Sequence, residues 1–237
     1  MVDLGTQKSG KYPELRPPPR LCSPFPHSTH HRDNLPTLTA DPTPSWPVAA
    51  LRDARTALDA LLADAAAVNR IQSVAALLAG ALGAGSKILI CGNGGSSCDA
   101  AHFAEELTGR FRNDRPPLAA LACTDAGHIT CTANDFGFDH VFSRWVTALG
   151  QPADVLIVLS TSGNSRNIVE AVSAARDRRM RTVALLGKDG GALRGLCEHE
   201  WIVPGAQSDR IQELHMLILH ALVEGIERIM FPSGPQR

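Results

Sequence analysis

The stretch Cys91 to Arg112, CGNGGSSCDAAHFAEELTGRFR, joins a glycine-rich turn to a helical run that carries His102 and Glu106. The run before it, Ser86 to Cys91 (SKILIC), reads as a buried strand, so the whole is strand, tight turn, helix. Backbone N–H groups at the start of such a helix have no intrahelical acceptor and are aimed to bind an anion. Four residues separate His102 from Glu106, which places them one turn apart on one helix face. A phosphate cradle is therefore expected beside two potential metal ligands.

Working outward, the chain alternates. Strands are expected at Ser86 to Cys91, Leu118 to Cys123, Val155 to Ser160, Thr182 to Leu186 and Glu200 to Val203. Helices are expected from about Ser97 to Gly109, Ala126 to Asn134, Asp139 to Leu149, Ser165 to Arg178, briefly near Ala192, and from Asp209 to about Met230. This alternation predicts an α/β fold with a doubly wound, mostly parallel five-stranded sheet flanked by helices in three layers. Ligands in such sheets bind beyond the carboxyl ends of the strands. Upstream, Val48 to about Leu82 repeats apolar residues at helical spacing, as two helices or one broken helix, closed by Gly83 and Gly85. Its Ala- and Leu-rich surface suits a subunit interface. Residues 1–47 hold most of the prolines with little apolar periodicity, and read as a disordered extension to a domain spanning 48–237.

Composition narrows the partners. The 237 residues suffice for one α/β domain, and a formal net charge of −1 leaves no electrostatic footprint for nucleic acid or an anionic membrane. A small polar ligand is the expected partner. None of the six cysteines stands in C-x-x-C spacing, no signal-peptide core is present, and no stretch approaches the roughly 20 apolar residues of a membrane span. Reduced thiols and a cytoplasmic location are expected.

Two further segments carry chemistry. Ser160-Thr161-Ser162-Gly163-Asn164-Ser165 follows the strand VLIVLS and opens a helix, so four hydroxyls and free N–H groups converge where a phosphate monoester would sit. The lysine-bearing loop of nucleoside triphosphate sites is missing. On the last helix, Gln212 and His220 are eight residues apart, hence offset by only about 80°. With His102 and Glu106 they would form an N₂O₂ set suited to zinc or a similar divalent ion. Spacing alone leaves an equal alternative: His102 as a partly buried surface histidine, and His220 as a core imidazole bonded to a backbone carbonyl. His128, His140, His199 and His215 fall on the structural side of that divide, and Glu105 reads as a solvated helix-face charge.

With these residues placed, the chain resembles the phosphoheptose isomerase (sedoheptulose 7-phosphate isomerase) family of the sugar isomerase, or SIS, superfamily. The resemblance runs from about Ala49 to Met230 through GNGGSSCDAAHFAEELTGRFR, ANDFGFDHVFSRWV, LSTSGNSRNIVEAV, LLGKDGG and SDRIQELHMLILH, in that order. It implies an SIS-type fold. It also implies that Asn93, Gly94, Gly95, Asn134 and Asp135 contact a sugar phosphate, and that Ser160, Thr161, Ser162 and Ser165 hold its phosphate. His102, Glu106, Gln212 and His220 would bind one Zn²⁺ per subunit, with Glu106 and Gln212 also touching substrate.

The reaction the resemblance implies turns sedoheptulose 7-phosphate into D-glycero-D-manno-heptose 7-phosphate, the first step towards ADP- or GDP-heptose. Moving a carbonyl between adjacent carbons requires removing a carbon-bound proton, holding a cis-enediol and returning the proton to the neighbouring carbon. Glu106 is the expected base and His220 the expected acid and base at the oxygens, with Asp135 and Asp209 as reserve proton carriers. A homotetramer with active sites at subunit contacts is implied as well. The rival is a non-catalytic SIS protein that binds a sugar phosphate or a replication initiator, in which the acid-base and metal positions need not be intact.

Overall fold

The computed structural model describes residues 45–232. Two helices come first, α1 (Trp46–Ala63) and α2 (Ala65–Gly83), broken at Asp64, whose carboxylate accepts from the Ala67 N–H and so starts the second helix. Pro47 stands in the first turn of α1, where its missing N–H costs nothing. The expected disordered extension falls on residues 1–44, outside the described residues, while Trp46 and Pro47 are helical. By length and composition α2 is apolar enough to cross a membrane, contrary to the sequence expectation that no stretch is. In the fold its Val74, Ala75, Leu78, Ala79 and Leu82 are instead buried in the core.

The rest alternates as expected: β1 (Ile88–Gly92), α3 (Gly95–Thr108), β2 (Ala120–Ala122), α4 (Ala126–Phe136), α5 (Val141–Leu149), β3 (Val155–Ser160), α6 (Arg166–Asp177), β4 (Arg181–Leu186), β5 (His199–Ile202) and α7 (Ser208–Met230). A 3₁₀ turn at Gly191–Leu193 is the short helix expected near Ala192, and another at Phe138–His140 takes the start of the helix expected from Asp139. The five strands are all parallel, in the order β2-β1-β3-β4-β5.

Strand side chains alternate between two apolar layers. Ile88, Ile90, Ile157 and Leu185 face α2, α3 and α7, whereas Leu89, Leu156, Val158 and Leu186 face α5 and α6. Buried Asp154 ties the starts of β1 and β3 together, accepting from the Lys87 N–H and Nζ and from the Gln151 N–H. Because the chain leaves β1 towards β2 on one side and returns to β3 on the other, the order in which strands are added reverses between β1 and β3. The carboxyl ends of those two strands open a crevice at that reversal.

Candidate active site

Two loops meet at the crevice. The turn after β1 places Gly94 at φ +56° as the cap of α3, a conformation that glycine adopts without strain. The loop after β3 runs through Ser160 to Ser165. Asn93 and Asn167, the latter buried in the first turn of α6, bridge the two loops through a reciprocal amide pair at 2.9 Å in both directions. Asn93 thus has a structural task its sequence position did not reveal, and Asn167 was not anticipated at all.

The four predicted hydroxyls lie between the end of β3 and the start of α6. Buried Ser160 accepts from the Gly163 N–H at 3.1 Å, and Ser162 accepts from the Asn164 N–H at 3.2 Å. Thr161 donates to Ser208 at the start of α7, 3.4 Å away, and Ser165 occupies the cap position of α6 with no capping bond from its side chain. The loop is backed by the segment Gly187 to Leu193. Asn164 Oδ1 accepts from the Ala192 N–H, the Gly163 carbonyl accepts from the Leu193 N–H, and Gly163 itself lies at φ +66°.

His102 and Glu106 emerge from α3 towards α7, and His220 meets them. His102 Nε2 is 3.3 Å and His220 Nε2 3.5 Å from the same Glu106 Oε1, and the two imidazole nitrogens lie 3.3 Å apart. One potential ligand atom from each residue falls within 4.8 Å of the others. The Glu106 side chain is 8% exposed, and its buried Oε2 has no hydrogen-bond partner. Burial pushes its carboxyl above the usual range, against the pull of His220 and His102. Phe111 stacks on the His220 ring at 5.9 Å, and Glu105 reaches His102 Nδ1 at 3.3 Å. Glu105 is thus exposed yet paired, in the position of an outer partner that orients a histidine ligand.

Gln212 takes a different place in the structure. Its Nε2 donates to Asp99 Oδ1 at 3.0 Å, and its amide lies against Gly95, where a Cβ would come within 2.5 Å of Oε1. Asp99 is buried, its Oδ2 is unpartnered, and burial raises its pKa while Gln212 and His102 lower it. It was missed although it stands three residues before His102, on the same helix face. Asn134 and Asp135 sit exposed at the end of α4, bonded to each other at 2.7 Å. Among the described residues no hydrogen bond or ion pair links them to the Glu106 cluster.

The remaining histidines divide as chemistry suggests. His215 is fully buried with Nε2 3.1 Å from the Leu186 carbonyl, and His128 Nε2 lies 2.9 Å from the Val141 carbonyl. His220, for which the same structural role was equally open, faces Glu106 instead. A separate concavity of about 260 Å³, between α1, α2 and β5 with Trp201 on its wall, shares no residue with the cluster.

The donor set fits a divalent transition metal: two imidazoles and a carboxylate converge, and an orphaned buried carboxylate oxygen lacks any other partner.

Comparison with known proteins agrees. The SIS domain family model matches residues 51–187. A phosphoheptose isomerase of Fusobacterium nucleatum is 56% identical over 163 residues, covering 69% of this chain and 84% of the relative. One from Proteus mirabilis is 51% identical over 181 residues, 76% of this chain and 94% of the relative. The solved structure of a phosphoheptose isomerase from Francisella tularensis superimposes with a TM-score of 0.74 at 37% identity, over 77% of this chain and 97% of that one. A family model spanning more than half of the chain, and relatives about half identical along nearly their whole length, place the chain in the phosphoheptose isomerase family of SIS-domain proteins.

Proposed function

We propose that the protein interconverts sedoheptulose 7-phosphate and D-glycero-D-manno-heptose 7-phosphate, the entry step to nucleotide-activated heptose. The observation that carries this reading is the convergence of buried Glu106 with His102 and His220 across α3 and α7, the two helices whose first turns adjoin the loops after β1 and β3. A purely binding SIS protein has no need of such a cluster.

The phosphate sits against Ser160, Thr161, Ser162 and Ser165, where the α6 amino terminus adds positive potential. Asn93, Gly94 and Gly95 line the sugar from the β1 side. Glu106 removes the proton from C1 of the ketose and returns it to C2. A carboxylate with a raised pKa suits this task, because it must give the proton back as readily as it takes it. His220 moves protons between the two oxygens of the enediol. His102, Glu106 and His220 would hold one Zn²⁺ per subunit, while Gln212, bonded to Asp99 and lying against Gly95, stands nearer the sugar. Such an ion, when bound, supplies Lewis acidity to the oxygens of the reacting carbons.

Asn134, Asp135, Phe136 and Phe138 are exposed, and Trp46 and Leu51 on α1 are 82% and 72% exposed. Apolar exposure of this kind supports assembly into a homotetramer in which neighbouring subunits complete each site. A cytoplasmic location fits the phosphorylated substrate and the unpaired cysteines Cys91, Cys98, Cys123, Cys131 and Cys197.

Proton NMR of sedoheptulose 7-phosphate with the protein in D₂O, with and without Zn²⁺, tests the reaction. Aldoheptose signals with deuterium beside the carbonyl are expected. An unchanged spectrum with folded, zinc-supplied protein would overturn the assignment.

A further inference from the structure

Arg115, in the segment between α3 and β2, is the most thoroughly committed cation in the described structure. Its side chain is 2% exposed, and it gives hydrogen bonds to two successive carbonyls at the end of α3: Nη2 to Glu106 O at 2.5 Å and Nη1 to Leu107 O at 2.6 Å. The same Nε donates to Glu227 Oε1 of α7 at 2.9 Å, and the Glu227 side chain is 10% exposed. Carbonyls in the last turn of a helix have no intrahelical donor, so a buried helix end needs such a partner.

The anchor points coincide with the candidate metal cluster. One is the backbone of Glu106 itself. The other, Glu227, follows His220 by seven residues and therefore lies within about 20° of it on the same stripe of α7. At the opposite end of the cluster, Asp99 and Gln212 tie the same two helices together. The two polar ties bracket His102, Glu106 and His220, and between them they fix sliding and rotation of α3 against α7. A lysine could not replace the arginine, since only the planar fork spans two carbonyls and a carboxylate at once.

We propose that Arg115 and Glu227 are positioning residues for the metal cluster, a neutral buried strut that holds Glu106 in register with His220 so that a divalent ion meets three preset ligands. This rests on the reading that His102, Glu106 and His220 bind metal.

The experiment measures Zn²⁺ affinity of the full-length protein by competition with a chromophoric chelator, and the visible absorption of the Co²⁺-loaded protein. Three variants are compared with the parent: Arg115→Lys, the double change Arg115→Met with Glu227→Leu, and His102→Gln. Removing both charges together avoids leaving one buried and unpaired, but the Glu106 and Leu107 carbonyls lose this donor, so the thermal midpoint of the double variant should fall by a few degrees while the protein stays folded. Its Zn²⁺ affinity should fall about tenfold or more, as for other partners that orient metal ligands, with an altered Co²⁺ spectrum. Arg115→Lys should fall in the same direction, because charge without the fork does not restore the strut.

Affinities and spectra within about twofold of the parent in both strut variants, while His102→Gln loses binding, would overturn the proposal and leave the metal reading standing. A parent without Zn²⁺ affinity, or His102→Gln binding as tightly as the parent, would remove the metal reading and the proposal with it. Should the double variant not fold, Arg115→Lys decides by the same thresholds.

Discussion

The Glu106 carboxylate is held in a conflict: burial favours its protonated form, while two imidazoles on Oε1 favour the ionised one. Replacing it by glutamine keeps the shape and removes the proton acceptor. Glu106→Gln should lower turnover by about 10²–10⁴-fold with circular dichroism and assembly unchanged. Activity within tenfold of the parent in the NMR assay would show that another group is the base. At this scale the sequence displayed residue types and their spacing on one helix, which made His102 and Glu106 legible. Partner choice was not legible. The Gln212 amide binds Asp99, and Arg115 reaches Glu227 112 residues away, because nothing in a local pattern says which side chains meet across two helices.

Strands, turns and helices bring these side chains to one place. The loop after β3 has its shape because Gly163 sits at φ +66° against the Gly190 carbonyl, where an added Cβ would come within 2.0 Å of that oxygen. Gly163→Ala should therefore destabilise the fold by about 2 kcal/mol or more, read as a lower urea midpoint, and weaken substrate binding along with it. An unaltered midpoint would mean that the loop relaxes freely. Within the same loop, Ser162→Ala combined with Ser165→Ala should raise KM about tenfold or more and leave kcat nearly unchanged. Contacts to a phosphate remote from the reacting carbons bind ground and transition states alike. A constant KM would count against the cradle. The segment LLGKDGG was conspicuous in the sequence, yet its task of backing the STSGNS loop emerges only from the close approach of Gly190 and Gly191 to Gly163 and Asn164, continued by the hydrogen bonds from Ala192 and Leu193 just after it.

For the molecule as a whole, His215 links the core to solution conditions. It is buried between α7 and the end of β4, its Nε2 bonded to the Leu186 carbonyl, and burial lowers its pKa to about 4. An unfolded chain would protonate the same residue near pH 6.5. Between those values the unfolded state binds more protons, so this contribution is complete above about pH 6.5 and is lost as the pH falls towards 4, amounting to about 3 kcal/mol. In His215→Gln the drop in unfolding free energy between pH 7 and pH 4.5 should shrink by about 2–3 kcal/mol. An equal drop in both proteins would place the acid sensitivity elsewhere. Taken alone, the sequence determined the α/β alternation, the five strands, the strand-turn-helix at Cys91 to Arg112 and the chemical type of every candidate ligand. All of these are written in local periodicity, glycine placement and residue chemistry. Only the tertiary structure decided that β1 pairs with β3, so that the GNGG and STSGNS turns share one crevice, and that α7 lays His220 beside Glu106. Those pairings join segments far apart in the chain, and they are settled by how the sheet and the helices bury their apolar faces together.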